Sequence, residues 1–324
     1  MGAYVKVLIT GGAGFIGSYL SEAYLARGQE VYVIDDLSTG RLENIKHLLK
    51  KPDFHFVNDT ILNREVMLEL TGICDVVVHL AAAVGVKLII DEPLKSIHTN
   101  IAGTEIVLEL ANKFRKKTFL ASTSEVYGRN SKVPLCEDDE RVYGSTAVAR
   151  WSYAATKAMD EFLALAYYRT KQLPVIVARF FNTVGPRQTG RYGMVVPRFV
   201  GQALRNEPLI IYGTGVQTRT FTYVADVVQG IITLIDEPRA VGEIFNIGGD
   251  EEISINDLAN RVICLTGSLS PIEHIPYERA YQEGFEDMER RVPDITKLKN
   301  IVGYVNTHDL DSMLAKIVEH ERTR

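Results

Sequence analysis

A short apolar run, Val5 to Ile9, leads directly into Thr10-Gly11-Gly12-Ala13-Gly14-Phe15-Ile16-Gly17. Apolar residues then recur at helical spacing from Phe15 to Arg27, where Gly28 supplies a stop. A strand, a glycine turn and a helix in that order constrain this chain more than any other feature. Gly11 permits the turn, Gly14 lets backbone N–H groups approach a pyrophosphate, and Gly17 lets the helix pack on the strand, with the helix N-terminus facing the negative charge. The glycine spacing alone is a weak signal, and its place between strand and helix gives it weight. The second strand, Glu30 to Ile34, ends in Asp35-Asp36, eighteen residues after Gly17. A carboxylate there can bind the adenosine ribose hydroxyls and repel a 2′-phosphate, so NAD is favoured over NADP. Arg41, just beyond, is the basic residue that could meet such a phosphate instead.

The same rhythm continues. Phe54 to Val57 and Asp75 to Leu80 read as further strands, as do Thr118 to Ser122 and Val175 to Arg179, with helical stretches between. Strands this apolar along their length are covered on both faces, and the alternation predicts an α/β fold, a doubly wound parallel sheet with its ligand at the carboxyl ends of the strands. After Arg179 the rhythm breaks. From Asn182 to Gln217 glycine, proline and arginine sit in loops around one helix, and from Ile253 a helix and an irregular polar tail are expected. This divides the chain into a dinucleotide-binding domain over 1–181, with 220–248 returning to the sheet, and a smaller C-terminal substrate lobe over 182–324.

With 324 residues, 46% of them hydrophobic, the chain can bury a large core. A net charge of −5 leaves no basic face for nucleic acid. Cys74, Cys136 and Cys264 are scattered, suggesting neither disulfides nor a metal site. No apolar run reaches the roughly 18 residues of a membrane span. A cytoplasmic location away from membranes is expected.

Tyr153-Ala154-Ala155-Thr156-Lys157 sets a tyrosine and a lysine one helical turn apart. A free phenol titrates near pH 10, and a cationic lysine on the same face, with an oxidised nicotinamide nearby, favours phenolate. The phenolate can accept a hydroxyl proton as hydride leaves. The spacing recurs at Tyr167 and Lys171, about 21 Å farther along the same helix. That pair belongs at the far end, where Tyr167 is expected to pack or cap.

A third element, Ala121-Ser122-Thr123-Ser124-Glu125-Val126-Tyr127-Gly128, puts hydroxyls and a carboxyl at the end of the fifth strand, with Thr123, Ser124 and Glu125 as candidate catalytic groups. Together with His79-Leu80-Ala81-Ala82, the 179–187 segment RFFNTVGPR, and the segments Ile211-Tyr212-Gly213 and Gln217 to Asp226, these motifs give the chain a specific likeness. Over nearly its full length it resembles the extended short-chain dehydrogenases/reductases of the nucleotide-sugar epimerase, dehydratase and decarboxylase family, which have a Rossmann domain. The resemblance implies that Thr123 hydrogen-bonds the sugar 4-hydroxyl, Tyr153 is the base and Lys157 binds the nicotinamide ribose. It places Phe15, Ile16, Asp36, Asp59, Leu80, Ala81 and Ala82 beside NAD, Asn182 near the substrate diphosphate, Tyr212 and Arg219 around the nucleotide, and Lys87 in the substrate set. It also implies a UDP-linked sugar substrate and a homodimer built on the 91–113 helix and the Tyr153 helix, where Phe162, Leu163, Leu165, Ala166 and Tyr168 offer apolar surface.

In this family Tyr153 would remove the 4-hydroxyl proton while NAD takes hydride from C4, giving a bound 4-keto sugar. Dehydratases of the family follow the threonine with Asp-Glu, whereas Ser124-Glu125 stands here, so dehydration is disfavoured. The Thr123-Ser124-Glu125 string and the segment Glu283 to Asp294 are similar to UDP-glucuronate decarboxylases, in which Arg291 matches an arginine near the sugar carboxylate. Gln188 to Gly193 resembles UDP-glucuronate 4-epimerases, where Arg191 could hold that carboxylate in the ketone plane and prevent its loss. On these likenesses 4-epimerisation of UDP-glucuronate, or else of UDP-glucose, stands slightly ahead of decarboxylation of UDP-glucuronate. A catalytically idle NAD-binding regulatory protein is the reading from another class, and the intact Thr123, Tyr153 and Lys157 set argues against it.

Overall fold

The computed structural model describes residues 4–85, 92–190, 194–280 and 288–323. Lys87, Arg191 and residues 283–287 of the segment Glu283 to Asp294 lie outside them.

The first half alternates. Strand β1 (Lys6–Thr10) leads through the glycine turn into α1 (Phe15–Ala26), followed by β2 (Glu30–Ile34), β3 (Phe54–Val57), α2 (Arg64–Ile73) and β4 (Val76–His79). Then come α3 (Pro93–Lys113), β5 (Lys117–Thr123), α4 (Ser152–Lys171) and β6 (Val175–Phe180). Between β2 and β3 the expected helix is absent, and only a 3-10 turn at Leu42–Asn44 forms. Short strands β7 (Thr183–Val184), β8 (Leu209–Tyr212), β9 (Thr218–Thr220) and β10 (Thr222–Tyr223) surround α5 (Val195–Leu204). Helix α6 (Val224–Asp236) then returns the chain to the main sheet as β11 (Ile244–Ile247).

The main sheet has seven strands in the order β11-β6-β5-β4-β1-β2-β3, every pair parallel. Strand order reverses between β1 and β4, and this is where a parallel α/β sheet opens a crevice at its carboxyl edge. The core follows from the sequence: Val7, Ile9, Val31, Val33 and Val78 are fully buried on one side, and Leu8, Ile34 and Val77 on the other. Both faces are therefore dry, as the unbroken apolar runs require.

The C-terminal part departs from expectation. After β12 (Glu252–Ser254) and α7 (Ile255–Thr266) come β13 (Ile272–Ile275), the short helix α8 (Tyr277–Ala280), β14 (Arg290–Arg291), α9 (Thr296–Val302) and α10 (Leu310–Arg322), so the tail is ordered rather than irregular. Asp309 caps α10 through the Ser312 N–H, and Leu310, Met313, Leu314, Ile317 and Val318 face inward at helical spacing.

Candidate active site

A cavity of about 880 Å³ opens at the carboxyl edge of β1, β4, β5 and β6, large for a pocket holding one small ligand. Every sequence-predicted site residue that the structure describes lines it.

At one end lies the glycine turn. Gly11 has φ +71°, and a Cβ there would meet the Ala81 backbone at 2.9 Å, while a Cβ on Gly17 would meet Gly11 O at 2.3 Å. The turn therefore has room for backbone and none for side chains. Gly14, Phe15, Ile16 and Gly17 open α1 toward the cavity, and Leu80, Ala81 and Ala82 form the facing wall. A helix N-terminus without a capping side chain, walled by glycine and alanine, fits a dinucleotide pyrophosphate.

The two aspartates after β2 differ. Asp35 is buried, and its carboxylate accepts from Ala13 N at 2.9 Å and Leu37 N at 2.8 Å, so it also holds the glycine turn in shape. Burial raises its pKa against the pull of those N–H groups. Asp36 is exposed and bonded to Ser38 N. Asp59 caps the turn before α2 through Thr60 N and the Asn63 amide. Arg41 points to Thr189 Oγ1 at 3.3 Å and does not line the cavity.

The opposite end carries the acid–base groups. Tyr153, in the first turn of α4, is buried and hydrogen-bonded to Thr123 at the end of β5, and Thr123 Oγ1 accepts from Glu125 N at 3.2 Å. Lys157 follows on the same helix face. In the chain itself burial, then the negative charges of Glu125 and Asp160, push the Tyr153 phenol well above its ordinary value. Lys157 spends its charge on Asp160, 2.8 Å away. Tyr167 packs among Leu173, Val175 and Val177 at the far end of α4, away from the cavity.

Glu125 is the electrostatic centre of this end. Arg150 approaches it at 2.5 Å and Arg291 at 2.7 Å, and Arg291 also donates to Ser124 Oγ at 3.4 Å. Burial would raise the Glu125 pKa, but the two guanidiniums outweigh it and bring it down to about 2. Sequence reasoning missed Arg150. Its only signal is a basic residue three before Tyr153, and the partner that gives it meaning lies on another element. Elsewhere on the cavity wall, Arg198 stacks over the Tyr212 ring at 4.5 Å, Arg219 is buried with Nη1 on Thr218 O, and the Asn182 amide, at φ +34°, donates to Thr220 O. Lys87 and Arg191 lie outside the described residues.

Fold and site together define a dinucleotide-binding framework with a threonine and a buried tyrosine and lysine at the far end of its cavity, and the comparisons show the family. The model of the GDP-mannose 4,6 dehydratase family matches residues 8–317. The chain belongs to this family of extended short-chain dehydrogenases acting on nucleotide sugars. It is 44% identical over 297 residues to a UDP-N-acetyl-alpha-D-glucosaminuronate decarboxylase of Bacillus cytotoxicus, covering 91% of each chain. It is 37% identical to UDP-glucuronic acid decarboxylase 2 of Arabidopsis thaliana, covering 99% of this chain and 69% of that one. Among solved structures it resembles a UDP-glucuronic acid 4-epimerase from Bacillus cereus in complex with UDP-glucuronic acid and NAD. The TM-score is 0.88 at 30% identity, covering 98% of this chain and 99% of that one.

Proposed function

We propose that the chain is an NAD-dependent UDP-uronate decarboxylase acting through a bound 4-keto intermediate. The observation that carries this reading is the Arg150–Glu125–Arg291 cluster, on the same wall as Thr123 and Tyr153. The nicotinamide, when bound, supplies the acceptor and donor of hydride at C4. Tyr153, as its phenolate, takes the 4-hydroxyl proton, with Thr123 orienting that oxygen. The product is a β-keto acid, whose fate depends on how its carboxylate is held. An epimerase needs a cation dedicated to keeping the carboxylate in the ketone plane. Arg291 is instead tied to Glu125 and Ser124, and the ionised Glu125 disfavours a second anion close by. Release of neutral CO2 relieves that repulsion. The electron pair of the C5–C6 bond passes into the C4–C5 enolate, whose oxygen lies with Tyr153 and Thr123 as donors. Water protonates C5, because Glu125 is held ionised, and Tyr153 returns its proton to O4 as C4 is reduced. Asn182, Tyr212 and Arg219, from the lobe over 182–324, would hold the UDP group.

The sequence alone puts 4-epimerisation slightly ahead, and likeness to the Bacillus cereus epimerase structure keeps it as the second reading. Incubation with UDP-glucuronate and with its 2-acetamido analogue, followed by product NMR and CO2 measurement, separates the two. One CO2 per sugar and a UDP-pentose are expected. A C4-inverted UDP-uronate without CO2 would transfer the assignment to epimerisation.

A further inference from the structure

Lys157 is not alone in the cavity wall. Its Nζ donates to Asp160 Oδ2 at 2.8 Å, and the two side chains are only 3% and 1% exposed. Asp160 also accepts from Thr104 of α3. Behind Thr104, His79 at the end of β4 lies with Nε2 at 3.1 Å from Thr104 Oγ1 and Nδ1 at 2.8 Å from Thr10 Oγ1.

The direction of each bond in this line can be worked out. Ala81 N donates to Thr10 Oγ1 at 3.2 Å, so the Thr10 hydroxyl proton is left for His79 Nδ1. His79 then carries its proton on Nε2 and gives it to Thr104 Oγ1, and the Thr104 hydroxyl proton goes to Asp160. Donors from α3 and α4 converge on one carboxylate. Burial, and then the charge of Lys157, push the His79 pKa down to about 3, so the imidazole is neutral. The line runs from the residue preceding the phosphate-binding turn to the lysine beside the base.

The surrounding charges are otherwise balanced. Burial and the charges of Glu125 and Asp160 raise the Tyr153 phenol above its ordinary value. Glu125 faces Arg150 and Arg291, and Glu161, next to Asp160 on α4, is bound by Arg179 and Arg141. Burial raises the Asp160 pKa, and Lys157 and Thr104 oppose that rise.

We propose that Asp160 is a positioning residue for the cofactor: it fixes the Lys157 ammonium and cancels its charge at the end of the cavity where Tyr153 must meet the nicotinamide. An oxidised nicotinamide is cationic and a reduced one neutral. An uncompensated lysine would therefore repel one form and not the other, shifting the bound couple toward the reduced state. The inference rests on the dinucleotide reading and is independent of whether CO2 leaves the sugar.

The test uses protein freed of copurified nucleotide, without sugar. Dissociation constants for NAD+ and NADH are measured by titration calorimetry from pH 6 to 9. In Asp160→Asn the ratio Kd(NAD+)/Kd(NADH) should rise on the order of tenfold, as expected for a unit charge several ångströms away. Lys157→Met should move the ratio the opposite way, and this arm decides the matter if Asp160→Asn fails to fold. A ratio unchanged in the variants that fold, with both affinities weakened equally, would reduce Asp160 to a structural residue. Failure of the parent to bind either form would instead overturn the dinucleotide reading.

Discussion

Replacing Glu125 by glutamine removes the charge from a carboxylate that two guanidiniums approach at 2.5 and 2.7 Å. Its pKa is about 2 in the folded chain, against about 4.3 in an unfolded one. The difference corresponds to about 3 kcal/mol of stability at neutral pH. The glutamate side chain is 15% exposed, so solvent screening takes little of this. A depressed carboxylate pKa contributes fully above the unfolded value and is lost as pH falls through the folded one. About half of the contribution should be gone by pH 3. The glutamine variant also leaves Arg150 and Arg291, both nearly buried, without their counter-charge, a loss that costs about 3–5 kcal/mol where it has been measured in other proteins. Urea unfolding of parent and variant at pH 7, 5, 4 and 3 reads the gap directly. It should be 3 kcal/mol or more, by the same order-of-magnitude reasoning, flat from pH 7 to 5, and narrowing below that. A gap under about 1 kcal/mol at pH 7 would mean the cluster behaves as a solvated surface pair. A gap that stays constant to pH 3 would refute the depressed pKa.

Tyr153→Phe should abolish turnover while leaving melting temperature and NAD affinity nearly unchanged; retained activity, together with loss in Tyr167→Phe, would move the base to the other pair. Asp35→Ala should narrow the preference for NAD over NADP in binding titrations, and should also cost about 1–3 kcal/mol in unfolding free energy because two backbone N–H groups lose their acceptor. Equal affinity of the parent for both cofactors would remove Asp35 from ribose recognition. On the paired helices α3 and α4, Leu94, Met159 and Phe162 are exposed, whereas Leu163 and Tyr168 pack inward. Phe162→Arg should turn a dimer into a monomer in sedimentation at micromolar concentration, and a monomeric parent would dispose of the proposed helix contact.

What can be read from the chain is what the chain settles locally. Strands β2 and β3 coincide with the apolar runs read from the sequence, because continuous Val, Ile, Phe and Tyr residues can be covered only inside a sheet. The glycine turn is legible because each glycine answers a close approach within one strand–helix unit. Helix α10 was equally available, with Asp309 and Ser312 marking its start and inward residues at a 3.6 period, yet the surrounding polar residues obscured it. The site divides along the same line. Thr123, Tyr153 and Lys157 each sit at a strand or helix end whose position follows from the βα rhythm. Arg150 and Asp160 carry no comparable signal, since their meaning depends on Glu125 at the end of another strand and on Thr104 of another helix. The expectation of a phenolate rests on Lys157 together with an oxidised nicotinamide, and it leaves out the charges that the fold adds. Spacing brings Lys157 to the face of Tyr153, but the field at the phenol is the sum over every element that converges there. Asp160, three residues farther along the helix, offsets the lysine charge that is one part of that expectation. A motif can thus identify the proton-transferring group, while the buried counter-charges brought in by the fold determine when that group gives up its proton.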